Sequence, residues 1–191
     1  AQNGHAPVVT VLLADERVNP NIADNEGWTA LMIAAEKGHA PVVTVLLADE
    51  RVDPNMATQD GFTALMIAAQ NGHAPVVTVL LADERVNPNI ADNEGWTALM
   101  IAAEKGHAPV VTVLLADERV DPNMATQDGF TALMIAAQNG HAPVVTVLLA
   151  DERVNPNIAD NEGWTALMIA AEKGHAPVVT VLLADERVDP N

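Results

Sequence analysis

Apolar and polar positions recur along this chain with a beat of 34 residues, and each beat carries the same two apolar clusters. The first is Ala30-Leu31-Met32-Ile33-Ala34-Ala35, followed by Glu36-Lys37 and then Gly38. These are good helix formers. Thr29, just before them, is a suitable N-cap, because its hydroxyl can accept from a free backbone N–H of the first turn. Gly38 stands where a left-handed residue closes a helix. The spacing predicts a short helix over 30–37 with Leu31, Ala34 and Ala35 on a small-residue face.

The second cluster, Val42-Val43-Thr44-Val45-Leu46-Leu47, is short and β-branched, and in isolation it reads equally as a strand. Pro41 decides for a helix, since proline lacks an N–H and is tolerated in the first helical turn. Val42, Val45 and Leu46 then share one face, with Val43 and Leu47 repeating the spacing beside it. Arg51-Val52-Asp53-Pro54-Asn55 ends the helix, because the residue before a proline avoids the helical region. Asp24-Asn25-Glu26-Gly27 reads as a turn. Each unit is thus two short helices joined by a glycine turn, then a polar loop of about a dozen residues. Such a pair cannot hide both apolar faces alone and must stack on its neighbours.

Residues 1–68 are identical to 69–136, and 137–191 to 1–55. Within each 68-residue block the two 34-residue units differ at eight positions: Gln2/Glu36, Asn3/Lys37, Asn19/Asp53, Ile22/Met56, Asp24/Thr58, Asn25/Gln59, Glu26/Asp60 and Trp28/Phe62. The apolar clusters do not alternate. Residues 1–191 are therefore expected to be one all-α solenoid of stacked helix–turn–helix units with hairpin-like loops. Its first and last units are partial and no polar end units are visible.

This unit resembles the ankyrin repeat. Asp24, Gly27, Thr29, Leu31, Ala34, Ala35, Gly38, His39, Val42, Val43, Leu46, Leu47 and Asn55 match that family's pattern in order. The likeness covers the whole chain, with five copies of TALMIAA and six of APVVTVLLAD. The tetratricopeptide repeat has a similar period, but its W-x₂-L-G-x₂-Y pattern is absent here. Three departures stand out. Ala30 and Met32 replace the family's Pro and His, so the hydrogen bonding of that histidine is expected to be lost. The unit has 34 residues where the family commonly has 33, and its ADERVDPN loop lacks a glycine. Polar end repeats, which such arrays need for solubility, are missing.

Charge narrows the partners. The net charge is −17, spread as −3 per unit, and an acidic chain repels phosphate backbones, so neither nucleic acid nor an anionic membrane is expected. The longest apolar run, Ala40–Ala48, is far short of the roughly 20 residues that span a bilayer. No signal peptide is visible, although the chain begins within a unit. The chain has no cysteine. That excludes thiolate metal sites and suits a reducing compartment, cytoplasmic for a natural chain.

Candidate chemistry is sparse. His5, His39, His73, His107, His141 and His175 each stand at the turn into the second helix, where the ring is expected to bond nearby backbone. Stacked helices lie about 8–10 Å apart, too far for one zinc ion, with nitrogens at about 2.0–2.1 Å, to bridge two rungs. Asp49, Glu50 and Asp53 lack the spacing of a calcium loop and read as a solvated acidic edge. There is no serine, no glycine-rich phosphate loop and no nucleophile elbow. No catalytic, cofactor or metal residue is expected, and the chain is read as a non-enzyme.

The resemblance implies that partners are met by the turn residues before the glycine, the aromatic after it, and the pair before Gly-His. In this sequence these are Asn25, Glu26, Trp28, Glu36 and Lys37; Gln59, Asp60 and Phe62; Asn93, Glu94, Trp96, Glu104 and Lys105; Gln127, Asp128 and Phe130; and Asn161, Glu162 and Trp164. The competing reading is that the aromatics only cover neighbouring loops. The expected function is a protein-interaction scaffold, which the perfect 68-residue identity marks as engineered, with association end to end as a further expectation. The alternative is a natural module binding a protein through loop tips and the first-helix face. Synonymous codons scrambled between identical units would mark synthesis, and identical codons recent duplication.

Overall fold

A computed structural model describes residues 1–190, and the helices among them fall into two layers. The first-helix layer contains α2 (Ala30–Glu36), α4 (Ala64–Gln70), α6 (Ala98–Glu104), α8 (Ala132–Gln138) and α10 (Ala166–Glu172). The second-helix layer contains α1 (Ala6–Leu13), α3 (Ala40–Leu47), α5 (Ala74–Leu81), α7 (Ala108–Leu115), α9 (Ala142–Leu149) and α11 (Ala176–Ala184). Each helix packs on its counterpart in a neighbouring unit, and α2, α4, α6, α8 and α10 each pack on the second helix of their own unit. A hairpin closed by a single antiparallel bridge, such as Ala57 with Thr63, precedes each first helix.

Local chemistry sets the boundaries. The Thr63 hydroxyl accepts from the Met66 N–H at 3.4 Å. The Thr63 N–H in turn donates to the Met66 sulfur, also at 3.4 Å. The hydrogen bond expected to vanish with the family's histidine is therefore replaced by a softer one, since a thioether is a weak acceptor. Lys37 is the C-cap and not part of the helix, and Gly38 follows with φ of 72°. Proline in the first turn of every second helix confirms the helical reading of VVTVLL.

The core is continuous from unit to unit. In α4, α6 and α8 every residue from the first alanine to the last is buried, including Met66, Met100 and Met134. In α3 the buried residues are Val42, Val43, Leu46 and Leu47, whereas Val45 is half-buried. The second helix lies between two neighbouring helices of its own layer as well as on its partner, which widens its apolar face beyond the expected stripe.

Side chains in the loops tie each rung to the one before. His73 Nε2–H donates to the Glu36 carbonyl at 2.9 Å, so the ring bonds the preceding unit's first helix end and not its own turn. Asn55 Nδ2–H donates to the Arg85 carbonyl at 2.7 Å, while its Oδ1 accepts from the Asn87 N–H at 2.8 Å. Arg85 donates to the carbonyls of Leu47 at 2.7 Å and Val52 at 3.1 Å, and also pairs with Asp83. The expected solvated acidic edge thus needs correction at Asp83 and its copy Asp49. Both are held by arginine and mostly shielded from water, and Glu50 alone stays free in solvent as expected. Asp53 is exposed, but its carboxylate closes a local turn by accepting from the Asn55 N–H. Among the described residues no buried side-chain polar atom lacks a partner, as expected of a well-satisfied interior.

Candidate protein-binding groove

Hairpin tips and the first-helix layer meet along one side of the stack. In the tip over residues 92–96, Asp92 Oδ1 accepts from the N–H groups of Glu94 and Trp96, both at 2.9 Å. The Asp92 N–H donates to the Trp96 carbonyl at 2.9 Å, which closes the tip and projects Glu94 outward. In the alternate unit the Thr58 hydroxyl accepts only from the Phe62 N–H, at 3.1 Å. The Asp/Thr alternation therefore exchanges a tightly held tip for a looser one.

Successive tips are laced together. Gln59 Nε2–H donates to the Asn25 carbonyl at 2.7 Å and Asn93 Nδ2–H to the Gln59 carbonyl at 3.0 Å. Gln127 and Asn161 continue the ladder at 3.1 and 2.9 Å. These amides, nominated as partner-facing, have donors already committed to the neighbouring turn.

Two adjoining hollows lie between tips and helices. One, of about 370 Å³, is lined by Asp60, Phe62, Gln70, Asp92, Asn93, Glu94, Trp96, Ile101 and Glu104. The next, of about 510 Å³, shares Glu94 and Trp96 and adds Thr126, Gln127, Asp128, Phe130, Ile135 and Gln138. Together they form a groove across three units, with half-buried aromatics along it. Hollows of about 820 and 700 Å³ on the second-helix layer contain no aromatic side chain and offer little to anchor a partner.

The structure thus gathers Asp60, Phe62, Asn93, Glu94, Trp96, Glu104, Gln127, Asp128 and Phe130 into one groove. Gln59 lies in the same tip as Asp60 and Phe62; Asn25, Glu26, Trp28, Glu36 and Lys37 occupy the equivalent places in the unit before, and Asn161, Glu162 and Trp164 those in the unit after. Lys37 and Lys105 point into solvent and pair with Glu36 and Glu104 at 3.2 and 3.1 Å. Gln70, Gln138, Asp92, Thr126, Ile101 and Ile135 also line the groove, beyond the residues that the resemblance implies. Gln70 and Gln138 stand where Glu36 stands in alternate units, so the repeat register already pointed to them. Asp92 read as a turn former and Ile101 as core, and each is that as well.

Stacked helical hairpins with a continuous core, interlocked at every rung, define a solenoid repeat protein. The chain belongs to the ankyrin repeat family: the family model for ankyrin repeats, which spans three copies, matches residues 1–56, 50–126 and 116–191. The crystal structure of the ankyrin repeat protein EF0377 is similar, with a TM-score of 0.86 and 27% identity over 95% of this chain and 92% of that one. No curated protein matches the sequence. Among the described residues, no helix is long and apolar enough to cross a membrane.

Proposed function

We propose that this chain is a non-enzymatic protein-interaction scaffold of engineered origin that meets its partner through the tip-and-helix groove. Members of the family generally mediate protein contacts. The observation that carries the finer reading is the aromatic row: Phe62, Trp96 and Phe130 line adjoining hollows instead of being sealed in the core. Aromatic residues in pockets supply much of the energy of protein interfaces. Engineered origin is supported by the unbroken 68-residue identity. The experiment is selection of displayed peptides against the chain, followed by titration against a variant in which Trp28, Trp96 and Trp164 are alanine. Selected peptides are expected to bind the variant at least about tenfold more weakly, with circular dichroism unchanged, as loss of an aromatic anchor implies. Equal affinity for both chains would remove the aromatic row from the interface.

A second reading is association of this chain end to end. At one end of the described residues Val8, Val11 and Leu12 are 56, 73 and 52% exposed, and at the other Met168 and Leu183 are 42 and 55% exposed. The equivalents inside the stack, such as Val42, Leu46 and Met100, are buried. The two end faces differ, so a contact between them is heterologous and grows open filaments. Light scattering should show a mass rising with concentration, and a constant monomer mass at high concentration would dismiss it.

A further inference from the structure

The two kinds of hollow along the groove differ in charge, and this difference carries an inference that rests on the groove reading above. The hollow between Phe62 and Trp96 is bordered by four carboxylates, Asp60, Asp92, Glu94 and Glu104, and no lysine or arginine lines it. The one between Trp96 and Phe130 has only Glu94 and Asp128. Shifted by 68 residues, Asp60, Asp92, Glu94 and Glu104 become Asp128, Asp160, Glu162 and Glu172, so the sequence sets the same four carboxylates beside Phe130 and Trp164. The repeat pattern therefore alternates carboxylate-rich and carboxylate-poor linings along the stack.

We propose that the hollows between Phe62 and Trp96 and between Phe130 and Trp164 each take one basic side chain of an extended cationic peptide lying along the groove. A guanidinium or ammonium against an aromatic face gains attraction from the ring quadrupole. The surrounding carboxylates add charge-assisted hydrogen bonds. The half-buried rings of Phe62 and Trp96 suit the methylene stem of arginine or lysine, which packs on apolar surface while its head stays polar. The hollows are open to water, so the cation enters without full desolvation. At Glu104 the incoming charge replaces Lys105, whose ammonium lies 3.1 Å away on an exposed side chain.

Register follows from geometry. Neighbouring helices lie about 8–10 Å apart, so hollows two rungs apart are separated by about 16–20 Å. An extended chain covers about 3.3–3.6 Å per residue, which places successive basic residues about five or six positions apart, and six, being even, sets both side chains on the same face of the peptide. A peptide with that spacing engages both hollows at once, and the second contact forms at a raised effective concentration.

The test uses the whole chain and three synthetic peptides in a serine–threonine background, read by tryptophan fluorescence and calorimetry. One has two arginines six apart, one has the same arginines adjacent, and one has glutamates in the spaced positions. The spaced arginine peptide is expected to bind at least about tenfold more tightly than the adjacent one, and the glutamate peptide not at all. Its affinity should fall several-fold in the E94Q/E162Q variant, whose changes leave the tip hydrogen bonds in place. Equal affinity for the two arginine peptides overturns the two-hollow register. If no arginine peptide binds while a neutral peptide from the displayed library does, and does so through the tryptophans, cation recognition is overturned and the groove reading stands. Failure of both kinds of peptide overturns both.

Discussion

Replacing Gly61 by alanine is expected to destabilise the array by about 3 kcal/mol, against about 1 kcal/mol for the same change at Gly163. Both glycines sit at the hairpin tip with positive φ, +89° and +87°, a conformation that L side chains rarely adopt. That shared term is worth roughly 1–2 kcal/mol. The difference lies in what a methyl group would meet. At Gly61 it would lie 2.9 Å from Asp92 Cα and 2.9 Å from the Asn93 nitrogen, both main-chain atoms of the next tip. Backbone cannot rotate aside as a side chain does. The next tip must therefore shift, loosening the Asn93 N–H bond to the Asp60 carbonyl at 3.2 Å and the amide ladder beside it. At Gly163 nothing lies within 4 Å. Position in the array widens the gap, because a central lesion uncouples the rungs on both sides, whereas one in the last hairpin is confined to its own unit. Urea unfolding midpoints of the two variants measure the difference directly. Equal shifts would show that close approach of the tips contributes nothing to cohesion.

What could be read from the residues was whatever is local. Thr29, Gly38 and Pro41 act within a turn of where they stand, so they disclosed both helices and their boundaries. Pro41 also settled the strand-like VVTVLL. The row of Trp and Phe was visible because it alternates while the core letters do not. The illegible part is whatever links residues 30 or more apart. An arginine, an asparagine or a histidine has the same letter whether it bonds to water or to the rung below. Asp49 reads as a solvated acid from sequence and Arg85 carries no mark of its role, although each belongs to an inter-rung clamp. Asn55 matched the family pattern without disclosing that it bridges two loops. Met32 shows a different limit: a thioether accepting a backbone hydrogen bond is too weak an acceptor to be expected from sequence. The groove lay between these cases. Its aromatics were legible and the repeat register pointed to Gln70, but its lining joins two units, so Asp92 emerged only once the rungs were stacked.

The arginine clamp yields the other large effect. Arg119 donates to the carbonyls of Leu81 at 2.7 Å and Val86 at 3.1 Å, and from Nε to Asp117 Oδ1 at 3.0 Å. Leu81 is the last residue of α5, where a helix leaves carbonyls without internal partners and a cation complements its dipole. Changing Arg119 to alanine takes the guanidinium from the carbonyls of Leu81, Glu84 and Val86 and from Asp117, whose carboxylate keeps only the main-chain N–H of residue 119. The expected cost is about 2 kcal/mol, toward the low end for charged hydrogen bonds because the guanidinium keeps contact with water. Lysine keeps the charge but not the planar fork, so R119K should recover only part of that loss. The pH dependence separates the ion pair from packing. The hydrogen bond from each arginine side chain holds its aspartate below the usual value of 3.8, as at Asp117, and brings Asp49 down to about 2. A carboxylate depressed in the folded state contributes stability that is complete above its unfolded value and is lost as pH falls through the folded one. The clamps therefore begin to weaken as pH drops below about 4, and the one at Asp49 is lost as pH falls through about 2. The stability gap between the wild type and R119A should stay constant from pH 7 to about 5 and narrow toward pH 2. A gap of the same size at pH 2 and pH 6, measured by urea unfolding, would mean that Arg119 acts through its stem and its carbonyl contacts, with no contribution from Asp117.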